Sequence, residues 1–204
     1  MNEFYDKIPK NVLDKLPVQS FEGEIFFISD EKSLNEIIHY LQKNDVLGFD
    51  TETRPAFKKG IIYNVSLLQL ATSDKAFLFK LDKLGLPNKL VQILENKNIV
   101  KVGVAVRDDL KALRKIRKFT PNAFIELQSF SDEFGIEDNG LKKLTANLLN
   151  FRISKGARLT NWSNEVYTEV QLKYAATDAW VSYLIYEKLL SLNGNFKIKK
   201  NTDI

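Results

Sequence analysis

The stretch Val46-Leu47-Gly48-Phe49-Asp50-Thr51-Glu52-Thr53 sets an apolar strand pattern against two carboxylates at its exit. Successive side chains of a strand point to opposite faces, so Asp50 and Glu52 share a face, with Cα atoms roughly 6.6 Å apart. Two acids so placed repel each other unless a cation or a proton neutralises them. Oxygen ligands of this kind suit Mg²⁺ or Mn²⁺, which take carboxylates, water and substrate phosphates. Two solvated acids where a strand leaves its sheet would read the same way, so the rest of the chain has to decide.

Upstream of this strand, Glu24 to Ile28 reads as a first or edge strand. Ser33 to Gln42 places Leu34, Ile37, Ile38 and Leu41 at helical spacing, which predicts an amphipathic helix. Downstream, Val65 to Ala71 and Lys75 to Phe79 read as strands joined by the tight turn Thr72-Ser73-Asp74. The period then changes: Leu86 to Leu94 is helical, Ile99 to Val104 a buried strand, Asp108 to Lys118 a basic helix, and Ala123 to Leu127 a short strand. From Leu141 the pattern is helical and ends in a long helix from about Glu169 to Leu190. Thr168 with Gln171 three residues later spells a capping box at its start. A hairpin first, then strands alternating with helices, predicts an α/β fold with a mixed central sheet flanked by helices. Residues 1–20, interrupted by Pro9 and Pro17, read as an irregular N-terminal arm. Residues 21–192 form the single domain and 193–204 a basic tail around Lys197, Lys199 and Lys200.

Composition narrows the chemistry. The 204 residues contain no cysteine and one histidine, His39, to which no role is assigned. Thiolate catalysis, Cys-based zinc sites, iron–sulfur clusters and disulfide scaffolds are thereby excluded, and hydrolysis is left to carboxylates and hard metal ions. The chain carries 30 Lys plus Arg against 26 Asp plus Glu, a formal charge of +4, which permits a polyanionic partner without requiring one. No apolar run reaches the ~20 residues that span a bilayer, so a cytoplasmic protein without a membrane partner is expected.

Two further acidic segments matter. In Lys101-Val102-Gly103-Val104-Ala105-Val106-Arg107-Asp108-Asp109-Leu110 an apolar strand runs into a helix that opens with two acids. Acids in a first helical turn are favoured by the helix dipole alone. Asp109 lies beside Leu113 and Ile116 on the apolar stripe, so it is the acid expected to face the sheet. In Tyr174-Ala175-Ala176-Thr177-Asp178-Ala179, Tyr174 and Asp178 are one turn apart on a stripe continued by Val181 and Ile185. The three alanines allow close approach of that helix to the sheet.

The ordered set Asp50, Glu52, Asp109, Asp178 with Tyr174 resembles the three motifs of the DEDD superfamily of exonucleases, in its tyrosine-containing branch. Thr160-Asn161-Trp162-Ser163 through Gln171-Leu172-Lys173-Tyr174, and Leu67-Leu68-Gln69-Leu70-Ala71, are similar to the Werner-syndrome exonuclease domain and to ribonuclease D. The likeness runs from about residue 45 to 192. It departs from many members in having Val104 where a histidine often stands, and no extra C-terminal helical domain of the ribonuclease D kind is expected. The resemblance implies a ribonuclease-H-like fold and 3′-5′ exonuclease activity on DNA, RNA or both. It further implies two divalent cations, Mg²⁺ or Mn²⁺, and release of nucleoside 5′-monophosphates. Asp50 would bridge both ions, Glu52 and Asp178 would complete the first ion's shell, and Asp109 would hold the second. Tyr174, with an ordinary pKa of about 10, would orient the attacking water rather than deprotonate it.

Gln69, Lys155, Arg158 and Trp162 fall in segments that resemble substrate-facing parts of the family, although a Trp in this setting also reads as a core aromatic. The cations Lys111, Arg114, Lys115, Arg117 and Lys118 read either as a grip on phosphates or as a solvated helix face. A catalytically silent nucleic-acid-binding or scaffold domain of the same fold is the alternative, which the complete set of acids and the tyrosine disfavours.

Overall fold

The computed structural model describes residues 2–58, 60–154, 156–192, 194 and 196–200. In chain order the elements are β1 (Asn2–Tyr5), α1 (Lys10–Leu13), β2 (Glu24–Ile28), α2 (Glu31–Leu41), β3 (Val46–Thr53), β4 (Val65–Ala71), β5 (Lys75–Lys80) and α3 (Leu81–Leu84). They continue as α4 (Asn88–Glu95), β6 (Val100–Gly103), α5 (Val106–Ile116), β7 (Phe124–Glu126), α6 (Leu127–Asp132), α7 (Leu141–Leu149), α8 (Glu169–Ser191) and β8 (Phe196–Lys199).

Six strands form one mixed sheet in the order β2-β5-β4-β3-β6-β7. β3–β4 and β4–β5 are antiparallel, whereas β2–β5, β3–β6 and β6–β7 are parallel. The expected hairpin closes through Thr72 N–H to Lys75 O at 2.8 Å. The alternation of β3 assigns its faces. Leu47 and Phe49 join the core that α2, α4 and α5 build on one side of the sheet. Gly48, Asp50 and Glu52 therefore face the opposite side, which α8 covers.

Helix α8 lies very close to that face. A Cβ on Gly48 would sit 1.9 Å from the carbonyl oxygen of Ala179, so only glycine admits the helix there. Ala175, Ala176 and Ala179 are fully buried along the contact, as their small size predicts. The capping box is formed: Thr168 Oγ1 accepts from Gln171 N–H, and Gln171 Oε1 accepts from Thr168 N–H at 3.1 Å. Such a cap is worth about 1 kcal/mol.

The short helices α3 and α6 fall where the sequence reading places none, and three further stretches differ from it. Residues 1–20 are not wholly irregular, because β1 pairs in parallel with β8 as a two-stranded ribbon and α1 follows Pro9. Four-residue strands so far apart in sequence define each other only by pairing, which local patterning does not report. Helix α5 begins at Val106, two residues early, because Glu126 supplies the start: its carboxylate accepts from Ala105 N–H and Val106 N–H at 2.9 and 2.8 Å. Between α7 and α8 the described residues form no helix. Asn150 (φ 61°) ends α7 in the left-handed region, and Arg152 then bonds the 16–19 segment through its backbone and Nε.

Candidate active site

An acidic cluster is assembled where the exit of β3 passes under α8. Carboxylate oxygens of Asp50, Glu52 and Asp178 all lie within 4.8 Å of one another. Asp178 is 5% exposed, and its Oδ1 is buried with no hydrogen-bond partner. The Tyr174 hydroxyl, one turn back on α8, donates to the Asp178 carboxylate. A buried acceptor without a partner, beside two more acids, is a strong demand for a cation.

The protonation of the site says the same. Burial pushes Asp50 well above the usual carboxylate range, and the charges of Asp178, Asp109 and Glu52 push it further. Glu52 is raised to about 9 by burial and by Asp178 and Asp109, against the opposing charge of Arg158. Asp178 is raised to about 7 by burial, with the Tyr174 hydrogen bond and Lys142 pulling the other way. Tyr174 is pushed up from its ordinary value by burial and by the carboxylates around it, so it stays a neutral phenol. Acids that cannot all ionise together in isolation can do so around divalent cations, and the all-oxygen donor set fits Mg²⁺ or Mn²⁺.

Asp109 is placed differently. It is half-buried, whereas its neighbour Asp108 is exposed, so the pair separates as the apolar stripe predicts. It sits outside the cluster of three, held by a hydrogen bond from Thr51 Oγ1 at 2.5 Å. Thr51 alternates to the α5 side of β3, and so tethers the fourth acid at the edge of the site. Burial raises Asp109 to about 7, the Thr51 bond opposes, and Asp108 and Glu126 add to the rise.

Two of the residues expected at the substrate, Gln69 and Trp162, are buried. Gln69 is 0% exposed beneath α8, directly opposite Asp50 in the β3–β4 register, and presents no surface to a strand of nucleic acid. Trp162 is also 0% exposed; its ring packs on Tyr174 (centroids 6.1 Å) and Tyr167, so its place is in the core behind the tyrosine. Arg158 is exposed, and its charge reaches Glu52. Lys155 lies outside the described residues.

Sequence reasoning missed three supporting side chains. Thr51 stood inside the quoted strand and was legible from alternation alone. Glu126 caps α5 from β7, a contact that needs the tertiary fold. Lys80, 1% exposed, bonds Asp82 at 2.7 Å and the carbonyl of Trp162 at 3.3 Å, and Tyr167 donates to the same carbonyl. That buried ammonium anchors the turn carrying Trp162, and through it the ring behind Tyr174.

With this geometry in view, comparison with known proteins is decisive. The sequence profile of a family described as 3′-5′ exonuclease matches residues 25–192. The chain belongs to this 3′-5′ exonuclease family. Among curated relatives of the family, the mouse bifunctional 3′-5′ exonuclease/ATP-dependent helicase WRN is 35% identical over 202 residues, covering 94% of this chain and 14% of its own. Ribonuclease D of Shewanella sp. (strain ANA-3) is 30% identical over 166 residues, 80% of this chain and 42% of its own. The chain thus spans less than half the length of these two relatives. The fold agrees: the Aedes aegypti Nibbler EXO domain superposes with a TM-score of 0.78 at 19% identity, covering 87% of this chain and 94% of that one. Escherichia coli RNase D gives 0.72 at 22% identity, covering 82% and 44%. The ribonuclease-H-like architecture expected from sequence is the one observed.

Proposed function

We propose that this exonuclease-family chain removes nucleotides from the 3′ ends of DNA, RNA or both by metal-dependent hydrolysis, releasing nucleoside 5′-monophosphates. The observation that carries the reading is the trio Asp50, Glu52 and Asp178 within 4.8 Å, with an unpartnered buried oxygen on Asp178. Asp50, Glu52 and Asp178 would hold one divalent cation, with Asp50 shared by a second that Asp109 approaches from the α5 side. Bound Mg²⁺ or Mn²⁺ would supply an activated water and stabilise charge on the attacking and leaving oxygens. Tyr174, kept neutral, orients a water with its hydroxyl instead of taking a proton from it. Arg158, exposed beside Glu52, offers its guanidinium to a phosphate.

The unit that performs this work spans residues 21–192, flanked by the arm over 1–20 and the tail over 193–204. Its setting is cytoplasmic; among the described residues no helix is long and apolar enough to cross a membrane. Product analysis tests the proposal. A 5′-labelled oligonucleotide with Mn²⁺ is expected to shorten stepwise while 5′-monophosphates accumulate. A 3′-monophosphate product, or an internal cut, would replace this reading with another nuclease class. Strand binding without any hydrolysis would favour the silent scaffold.

A further inference from the structure

We propose that a groove along the outer face of α5 carries the sugar–phosphate backbone of the strand being degraded, on the 5′ side of the end held at the carboxylates. This deepens the exonuclease reading and rests on it. The groove encloses about 1220 Å³ and is lined by Arg107, Lys111, Arg114, Lys115 and Lys118. All five are exposed, and none forms an ion pair with a described carboxylate. Arg117 on the same helix behaves oppositely: it bonds Leu86 O at 3.0 Å and the side chain of Asn88, which makes it structural.

The two carboxylates in the lining do not cancel this charge. Five cations line the groove against Asp108 and Glu126, and Glu126 is engaged by the backbone N–H groups of Ala105 and Val106. Spacings of three and four residues put the cations in a row along one helix face. At 1.5 Å per residue, Arg107 to Lys115 covers about 12 Å, and Lys118 extends it past the helix end. That matches roughly three to five nucleotides of a stacked strand at about 3.4 Å each.

Position ties the groove to the site. Asp108, which lines it, is adjacent in sequence to Asp109, so the groove begins beside the acid nearest the carboxylate cluster. No aromatic side chain lines it, so bases have nothing to stack on and the contact is with phosphates alone. Binding there should be insensitive to sequence and strongly salt-dependent. A flat lipid surface would not enter a concave groove, and an acidic peptide lacks the even spacing of charge that the row matches.

The test is fluorescence anisotropy in EDTA with a single-stranded 12-mer over a series of NaCl concentrations, beside hydrolysis of a trinucleotide with Mn²⁺. Wild type is compared with the double variant Lys111→Glu/Lys115→Glu and with Lys10→Glu/Lys32→Glu, exposed lysines on α1 and α2, as a control, each first shown to be folded by its circular dichroism melt. The groove variant should bind the 12-mer at least ~10-fold more weakly, with a salt slope shallower by about two, while the trinucleotide is hydrolysed at the wild-type rate. Unchanged 12-mer affinity and slope would overturn the proposal, as would equal losses on trinucleotide and 12-mer. Displacement of the 12-mer by poly-glutamate as readily as by an unlabelled 12-mer would reassign the groove to acidic peptides. A wild type that cleaves nothing, while the double variant still loses 12-mer affinity, would sink the nuclease reading and leave the groove standing.

Discussion

Asp178 concentrates the tension of the site in one side chain. One of its oxygens is buried without a partner, and its pKa of about 7 reflects burial against only partial relief from Tyr174 and Lys142. Carboxyls whose folded pKa lies above the unfolded value hold protons that the unfolded chain has released, so the ion-free protein loses stability as pH rises from about 4 towards 9. Asp178→Asn should therefore raise Tm in EDTA at pH 8 by roughly 2–8 °C, using about 2–4 °C per kcal/mol for a chain of this size. The gain should shrink at pH 5, where Asp178 is already protonated. A melt showing destabilisation at pH 8 would contradict the strain assigned to this acid. Cations must displace the same protons, so Mn²⁺ affinity measured by calorimetry should rise at least ~10-fold between pH 6 and 8. An affinity flat across that range would mean the acids are already ionised. Tyr174→Phe keeps the ring that packs on Trp162 and removes the hydroxyl. Turnover should fall ~10²–10⁴-fold with Mn²⁺ affinity retained. Lost metal affinity instead would make the tyrosine a structural support for the ligands rather than a water-orienting group.

At the scale of elements, the site is the crossing of β3 and α8, and Gly48 sets how closely they cross. Gly48→Ala drives a methyl into the Ala179 carbonyl and should cost about 1–3 kcal/mol or more, seen as a lowered Tm and weaker metal binding together. Unchanged Tm would show that the helix can shift without consequence. The same crossing explains what the sequence made legible. Leu34, Ile37, Ile38 and Leu41 announced α2 by their period, and the alternation in β3 put Asp50 and Glu52 on one face, because burial of one side of an element is written locally. The burial of Gln69 is not legible locally, because a polar side chain gives no sign of being covered: what buries it is α8, a hundred residues on, whereas the core place of Trp162 is one of the two readings its sequence allows. The first two residues of α5 were missed because its cap comes from Glu126, not from the residue that precedes it.

Over the whole molecule, α2, α4 and α5 build an apolar core on one face of the mixed sheet, α8 packs on the other over Asp50, Glu52 and its own Asp178, and Asp109 reaches the edge of that cluster from the α5 side. The mixed sheet flanked by helices is legible in the sequence from the hairpin followed by alternating strands and helices, whereas the strand order β2-β5-β4-β3-β6-β7 is set by pairings between distant segments. The β1–β8 ribbon was invisible there, because Asn2–Tyr5 and Phe196–Lys199 become strands only by meeting each other. The central claim is that this carboxylate cluster cleaves a strand from its 3′ end. Asp50 is the acid on which the other three charges converge, so the most direct measurement follows 5′-end-labelled single-stranded DNA and RNA on a denaturing gel. Wild type and Asp50→Asn are run side by side with Mg²⁺, Mn²⁺ or EDTA. The account predicts a metal-dependent ladder receding from the 3′ end, absent with EDTA and absent in the variant; cleavage that survives Asp50→Asn would contradict it.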